Sequence, residues 1–582
     1  MKIVSKIYKR TVLAAAVAFG ALTSSCTDYL TIIPADVVVE ENFWQTKDQV
    51  NGMLATSYLK LLSSDAVSKA IIWGEMRSDN MTYPPNYNTD IKNIVEANII
   101  DENSYCRWGI FYEAINYANL VLESAPQVVD HDPDFSEGDL DVVMGEMYAM
   151  RALCHFYLVR TFRDIPLAMH SARNDAEIPE YKQVHPLEAL NTIMDDLNRA
   201  KNMVMKSGAF SNEQQNFGRI TENAVLAIMA DVNLWRAAFA TYYEGDPKAA
   251  DYVKAGDADL YYDECIQNCK DVIANMDTAL IEGYKGKPFE SYPYNLIQNT
   301  GEVKDKTNEH ISSAYDAIFG TKNSSESIFE LQVQGDNVKN GAFNGVYRVY
   351  GTEGNPGLAM VPQGFTSNYE DDDLRKYSFT NFKSSGQSSS SDNQNTCIVK
   401  YAAKEAPAKN YRKSDDWDAN WIVYRRTDVL LMMAEAMVSR QSVTDSVYKE
   451  AFNIVKAINT RSRIDTTSTN IMNPLKIENF VDPDAVAQKT KFMDLVRKER
   501  LLELSYEGKR WYDLVRLALR EKSTDKIKFV ADKLGGTGAV VKTKMSTIDG
   551  LFMPIHEEEL RFNKNLKQNP AYDKEDSSTS MN

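Results

Sequence analysis

Apolar residues recur at three- and four-residue spacing through most of residues 45–280, the signature of helices that bury one face. QVNGMLATSYLKLL, YCRWGIFYEAINYANLVLESAP, LDVVMGEMYAMRALCHFYLVRTF, HPLEALNTIMDDLNRAKNMV and TENAVLAIMADVNLWRAAFATYY all carry it. Start signals agree: Thr221 with Glu222 opens one helix, and Pro186 falls in the first turn of another. Small residues stand among aromatics, as with Ala114 and Ala118 around Tyr117, or Ala227 and Ala230 before Trp235. That alternation lets neighbouring helices approach and interlock, which is how helical-pair repeats stack. No clean period of about 34 residues runs through the region, so any repeat is degenerate.

Over residues 281–423 the pattern breaks. Gly, Asn, Ser and Pro are dense in EGYKGKPFESYPYNLIQNTGE and KSSGQSSSSDNQNT, with strand-like pieces SIFELQV and CIVKYAA between them. Helix returns over 424–582, in RRTDVLLMMAEAMVSR, YKEAFNIVKAINTRSR and KFMDLVRKERLLELSYEGKRWYDLVRLALRE, completing the same body. In the last run Arg497, Arg500, Glu503, Glu507, Arg510, Asp513 and Arg516 fall three or four apart, a stripe that reads as a structural ion-pair ladder. Gly508 within it is where a helix can bend or another backbone approach. Trp44, Trp73, Trp108, Trp235 and Trp511 lie in helical patterns and read as core. The fold class is mainly α, with a large loop-rich insertion containing a little β.

The N-terminus changes the picture. Lys2, Lys6, Lys9 and Arg10 precede TVLAAAVAFGAL and a small-residue run ending at Cys26, the layout of a secretory signal over 1–25, too short to span a bilayer. A cysteine closing such a segment resembles the lipobox of bacterial lipoproteins, although Thr23 stands where that pattern prefers a large aliphatic residue. The resemblance implies a lipid on Cys26, with residues 26–44 as a tether. Losing 1–25 takes the formal net charge from −17 to −21, because four positive charges and no acids leave. So acidic a chain argues against nucleic-acid partners and against polybasic docking on anionic lipid. The other cysteines, 106, 154, 265, 269 and 397, are too scattered for a disulfide framework; Cys265 and Cys269 share a helix face and read as buried thiols.

Several motifs together resemble the SusD/RagB outer-membrane lipoproteins of Bacteroidetes. They are CTDYLTIIP with ENFWQTKDQVNGMLATSY, WGIFYEAINYANLVL, VYRRTDVLLMMAEAM with INTRSR, and the C-terminal RKERLLELSYEGKRWYDLVR and LFMPIHEEELRFNKNLKQNPAY. The resemblance implies a scaffold of tetratricopeptide-like helix pairs with loops carrying a ligand site. It implies a lipid-anchored protein on the cell exterior that captures oligosaccharide, or peptide in some members, for a SusC-type TonB-dependent transporter. A protein-interaction adaptor built on helical repeats is the alternative from another class.

Catalytic signatures are missing from the sequence. There is no H-E-x-x-H, G-x-S-x-G or Walker glycine loop, and the EF-hand-like spacing of Asp416, Asp418 and Asn420 has Trp421 at the turn glycine's place. The expectation is binding without turnover, with no cofactor and no metal. Sugar rings present apolar C–H faces to flat aromatics, and their hydroxyls need amide or charged partners. Loops that pair the two are SDNMTYPPNYNTD with Asn80, Tyr83, Asn86 and Tyr87; KPFESYPYNLIQN with Tyr292, Tyr294 and Asn295; and YRKSDDWDANW with Trp417 and Trp421.

Overall fold

The first helix begins where the sequence supplies a cap. Thr46 accepts from the Gln49 amide and the Gln49 side chain reaches back to Thr46, opening α1 (Lys47–Leu62). Ser63 then caps α2 (Ser64–Glu75). α3 (Thr89–Val95) and α4 (Gly109–Ser124) follow, and a Ser136–Asp139 capping box opens α5 (Glu137–Phe162). β1 (Ile165–Pro166) and β2 (Gln183–Val184) make a minimal antiparallel pair before α6 (Pro186–Lys201), α7 (Glu222–Tyr243) and α8 (Asp257–Gly283). The computed structural model describes residues 43–174, 177–283, 293–299, 312–333, 340–347, 357–380, 397–403, 412, 418–463 and 473–573. Cys26, Tyr292 and Trp417 lie outside them.

Each long helix packs on the next: α4 on α1 and α5, α5 on α6, α6 on α7, α7 on α8. After the loop-rich excursion the chain returns to lay α9 (Arg426–Ser439) beside α8. α10 (Asp445–Arg461) and α11 (Ala485–Leu504) stack on α9, and α12 (Arg510–Glu521) lies against α7 and α2. The architecture is mainly α, a scaffold of stacked helix pairs with a little β. The five helical-pattern tryptophans are at most 3% exposed, and Cys265 and Cys269 are buried free thiols. By length and composition α7 lies within a stretch apolar enough to cross a membrane, but it is wrapped on all sides as a core helix.

Two expectations need correction. SIFEL is a strand, β3 (Ser327–Leu331), but CIVKYAA is not: Ile398 makes only an isolated bridge to Thr380. The partner of β3 is β4 (Trp421–Arg425), and both are buried along their whole length. The charged stripe is not a ladder along one helix either. The helix stops at Leu504 and restarts at Arg510; Arg497 with Asp494 and Arg516 with Asp513 keep local pairs, but Arg500, Glu503, Glu507 and Arg510 also point inward to partners far away in sequence. Glu503 takes Arg425 (2.9 Å), Arg461 (2.7 Å), Arg375 (3.2 Å) and the Tyr315 hydroxyl (2.8 Å). Glu507 takes Arg425 (2.7 Å) and Lys400 (2.6 Å). A second knot joins Arg500, Arg516 and Arg520 to Glu435 and Asp513. Burial alone pushes Glu507 up, but Arg425 and Lys400 reverse it and hold the carboxyl near about 2. Arginine suits such sites because its fork of donors serves several carboxylates at once.

Gly508 fulfils its second option, the approach of another backbone. It adopts φ +72°, and a Cβ there would lie 2.9 Å from the Ala70 carbonyl oxygen and 3.3 Å from Trp421. Gly74 of α2 faces it, with room for a Cβ only 1.9 Å from the Gly508 oxygen. The α2 backbone therefore rests directly on the turn between α11 and α12.

Candidate functional site

The segment from Glu75 to Thr82 leaves α2 under heavy restraint. Glu75 is fully buried and accepts from the Glu507 (3.2 Å) and Lys509 (3.1 Å) amides and from Asn80 (2.6 Å). Burial pushes its carboxyl up to about 7 despite those bonds. Arg77 donates to the Leu551 (2.7 Å) and Gly550 (2.6 Å) carbonyls and lies 4.5 Å over the Trp511 ring. Asp79 receives Arg510. Thr82 then bridges to Met360 through two backbone bonds, 2.9 and 2.8 Å.

From this root the loop rises to solvent. Tyr83 is half-buried, its hydroxyl donating to Glu96 at 2.7 Å. Tyr87 meets it edge-on at 5.5 Å and 71°, and the Lys92 ammonium sits 4.5 Å from the Tyr87 ring centre. Tyr87 stays 45% exposed, Asn86 is exposed beside it, and Asn88 ends the loop by capping α3 through the Ile91 amide. Asn80 is different. It is fully buried, with its amide spent on Glu75 and its oxygen on Ser78, so it anchors the root and offers nothing to solvent.

The second stretch has separate neighbours. Tyr294 and Asn295 both take positive φ, 58° and 49°. The Tyr294 carbonyl accepts from Arg426 (3.1 Å), and Asn295 donates to Asp277 (2.8 Å), which also receives Arg426 (2.6 Å). This ties the residues between α8 and α9. In the third stretch Trp421 is 2% exposed within β4, packed against Tyr401 and Phe343 at 5.9 Å each, so its ring is core. The structure thus brings Tyr83, Asn86 and Tyr87 together at a surface, and sets Asn80 and Trp421 inside.

Sequence reasoning missed Lys92 and Glu96. Lys92 lies on the short helix after the loop and Glu96 caps its end four residues later, so both face the loop through Tyr87 and Tyr83. Met360 carried no such signal, lying 278 residues from Thr82 in a strand-poor region. Among the described residues no group of His, Cys, Asp and Glu could hold a metal ion.

Comparison with known proteins identifies the family and the fold. A sequence model of the SusD family matches residues 291–572, and one described as "Starch-binding associating with outer membrane" matches residues 29–234. The chain belongs to the SusD/RagB family, a family of binding proteins associated with the outer membrane. It is 24% identical to SusD-like protein P38 of Formosa agariphila, over 96% of this chain and 97% of that one. A SusD homologue from Bacteroides thetaiotaomicron shares the fold at a TM-score of 0.64 with 19% identity, covering 91% of this chain and 98% of that one. Bacteroides fragilis NanU does so at 0.62 with 17% identity, covering 93% and 99%.

Proposed function

We propose that this protein is a cell-surface lipoprotein, held to the outer membrane through a lipid on Cys26, that captures oligosaccharides and passes them to a SusC-type TonB-dependent transporter. It binds without turnover. The observation that supports the reading is the Tyr87 ring: exposed, yet fixed by an edge contact to Tyr83 and by Lys92. A rigid aromatic face loses little conformational entropy on meeting a sugar's C–H face. Asn86, Lys92 and Glu96 stand beside it as partners for hydroxyl groups, which would otherwise be stripped of water without compensation. Tyr292 and Trp417 remain candidate contacts on the same grounds of loop chemistry.

The test is affinity electrophoresis and calorimetry of the full-length protein, in detergent, against a panel of plant and host glycans. Retention by at least one glycan is expected, with Tyr87→Ala weakening it about tenfold. Retention by none, or a Tyr87→Ala variant that binds as well as the parent, refutes the reading.

A further inference from the structure

The root of the aromatic loop is met by a side chain from 452 residues further along the chain than its nearest partner there, Met81. Three backbone carbonyls, of Met76, Ser78 and Met81, converge on one point, and the Lys533 ammonium sits there, donating at 3.2 Å to Met76, at 2.5 Å to Met81, and to Ser78 as well. Three carbonyl oxygens aimed at one point call for three donors, which the ammonium supplies; burial pushes its pKa down to about 7, with Asp79 opposing, so the three-donor form prevails below that pH. Lys533 comes from the segment Asp525–Thr537, which turns through a positive φ at Gly535.

Apart from the Thr82–Met360 bridge, which holds the next residue, the other restraints act upstream. Glu75, Arg77 and Asp79 hold the first half of the segment through the α11–α12 turn, residues 550–551 and Arg510. Lys533 reaches Met81, two residues before Tyr83. We propose that Lys533 is a positioning residue for the ligand loop, its ammonium setting the height and direction in which Tyr83 and Tyr87 leave the body. The functional part of this rests on the proposed glycan-binding reading; the clamp does not, and the two are tested apart.

The clamp is read by hydrogen–deuterium exchange on the full-length protein in detergent, with no ligand present. In Lys533→Met the Thr82 amide, which donates to the Met360 carbonyl, is expected to exchange at least about tenfold faster, because the bonds that hold the root beside it are lost, while α5 and α7 keep their protection. In Lys533→Ala, methylammonium chloride is expected to restore slow exchange and choline chloride, too large for the gap, to fail. Unchanged exchange at Thr82, or an equal rise throughout the chain, overturns the proposal, as does rescue by both salts alike. If Lys533→Met does not fold, Lys533→Arg takes its place: the charge persists on a bulkier, planar head that does not fit the three carbonyls, and a rise at Thr82 with α5 and α7 unchanged is expected, its absence overturning the proposal. For whichever glycan the panel identifies, Lys533→Met is expected to bind about tenfold more weakly, with methylammonium recovering affinity in Lys533→Ala. If no glycan binds the parent protein, the functional reading fails while the exchange result still decides the clamp.

Discussion

Replacing Gly74 by alanine probes the contact on which the N-terminal and C-terminal helical regions meet. An alanine Cβ would stand 1.9 Å from the Gly508 oxygen, 2.3 Å from its carbonyl carbon and 2.8 Å from its Cα. All three are backbone atoms, so no rotamer change relieves the clash. Gly508 cannot readily swing away, since its other side meets the Ala70 carbonyl and Trp421. α2 must lift off the turn, by on the order of 1 Å or more given ordinary contact distances. Overpacking of this kind costs about 3 kcal/mol. The lift also stretches the Glu507 and Lys509 amide bonds to Glu75, already 3.2 and 3.1 Å, at about 2 kcal/mol for the pair. Alanine's better helix propensity returns about 1 kcal/mol. The net loss is about 4 kcal/mol, a large fraction of a domain's usual stability. Urea unfolding followed by tryptophan fluorescence measures it, with Gly52→Ala as control: Gly52 lies in α1 with nothing within 4 Å of its Cβ position, so that change should stabilise by up to about 1 kcal/mol. A Gly74→Ala loss below about 1 kcal/mol, or equal effects of the two substitutions, would refute the close-contact argument.

Glu75→Gln isolates a pH effect. The folded carboxyl, at about 7, lies above its unfolded value of 4.5, so the stability it contributes is present below pH 4.5 and disappears as pH rises through about 7. The variant should gain on the parent by about 3 kcal/mol across that window, and parallel stability curves would sink the idea. Glu503→Ala leaves Arg375, Arg425 and Arg461 buried without their shared carboxylate and should cost about 3–5 kcal/mol, read as a fall in the urea midpoint; a near-neutral result contradicts the network. Cys26→Ser should abolish incorporation of radiolabelled palmitate and release the protein from the membrane fraction, and continued labelling would exclude that cysteine as the anchor.

Helices were legible because periodic burial repeats locally. A run such as TENAVLAIMADVNLWRAAFATYY states which face is apolar and where the helix starts, and the pairing of small residues with aromatics states that another helix will lie against it. Strands were less legible. β3 and β4 are buried on both faces and so lack alternation, and WIVYR reads equally well as the lead-in to a helix. The candidate loop was visible in outline, as tyrosines and amides between two helices. Its internal division was not: Asn80 and Asn86 belong to the same loop and the same residue type, yet one is sealed under Glu75 and the other faces water.

The chain's own pattern determines where most of its long helices lie, the apolar stripe on each, and the family signatures near its C-terminus, because these depend on neighbours within a few residues; the break at Leu504–Arg510 inside one apparent run it did not show. Tertiary structure alone decides what the charged residues do. Arg500, Glu503 and Glu507 carry a surface-like spacing, but their partners lie up to 188 residues away, and folding turns the stripe into a buried network. The same holds at Gly74 and Gly508: the sequence leaves Gly508 with a bend or a close approach and says nothing of which segment approaches, and the meeting with Gly74 makes both glycines obligatory. Local spacing fixes which face is apolar, whereas the fate of a charge or a missing side chain depends on which distant segment arrives opposite it.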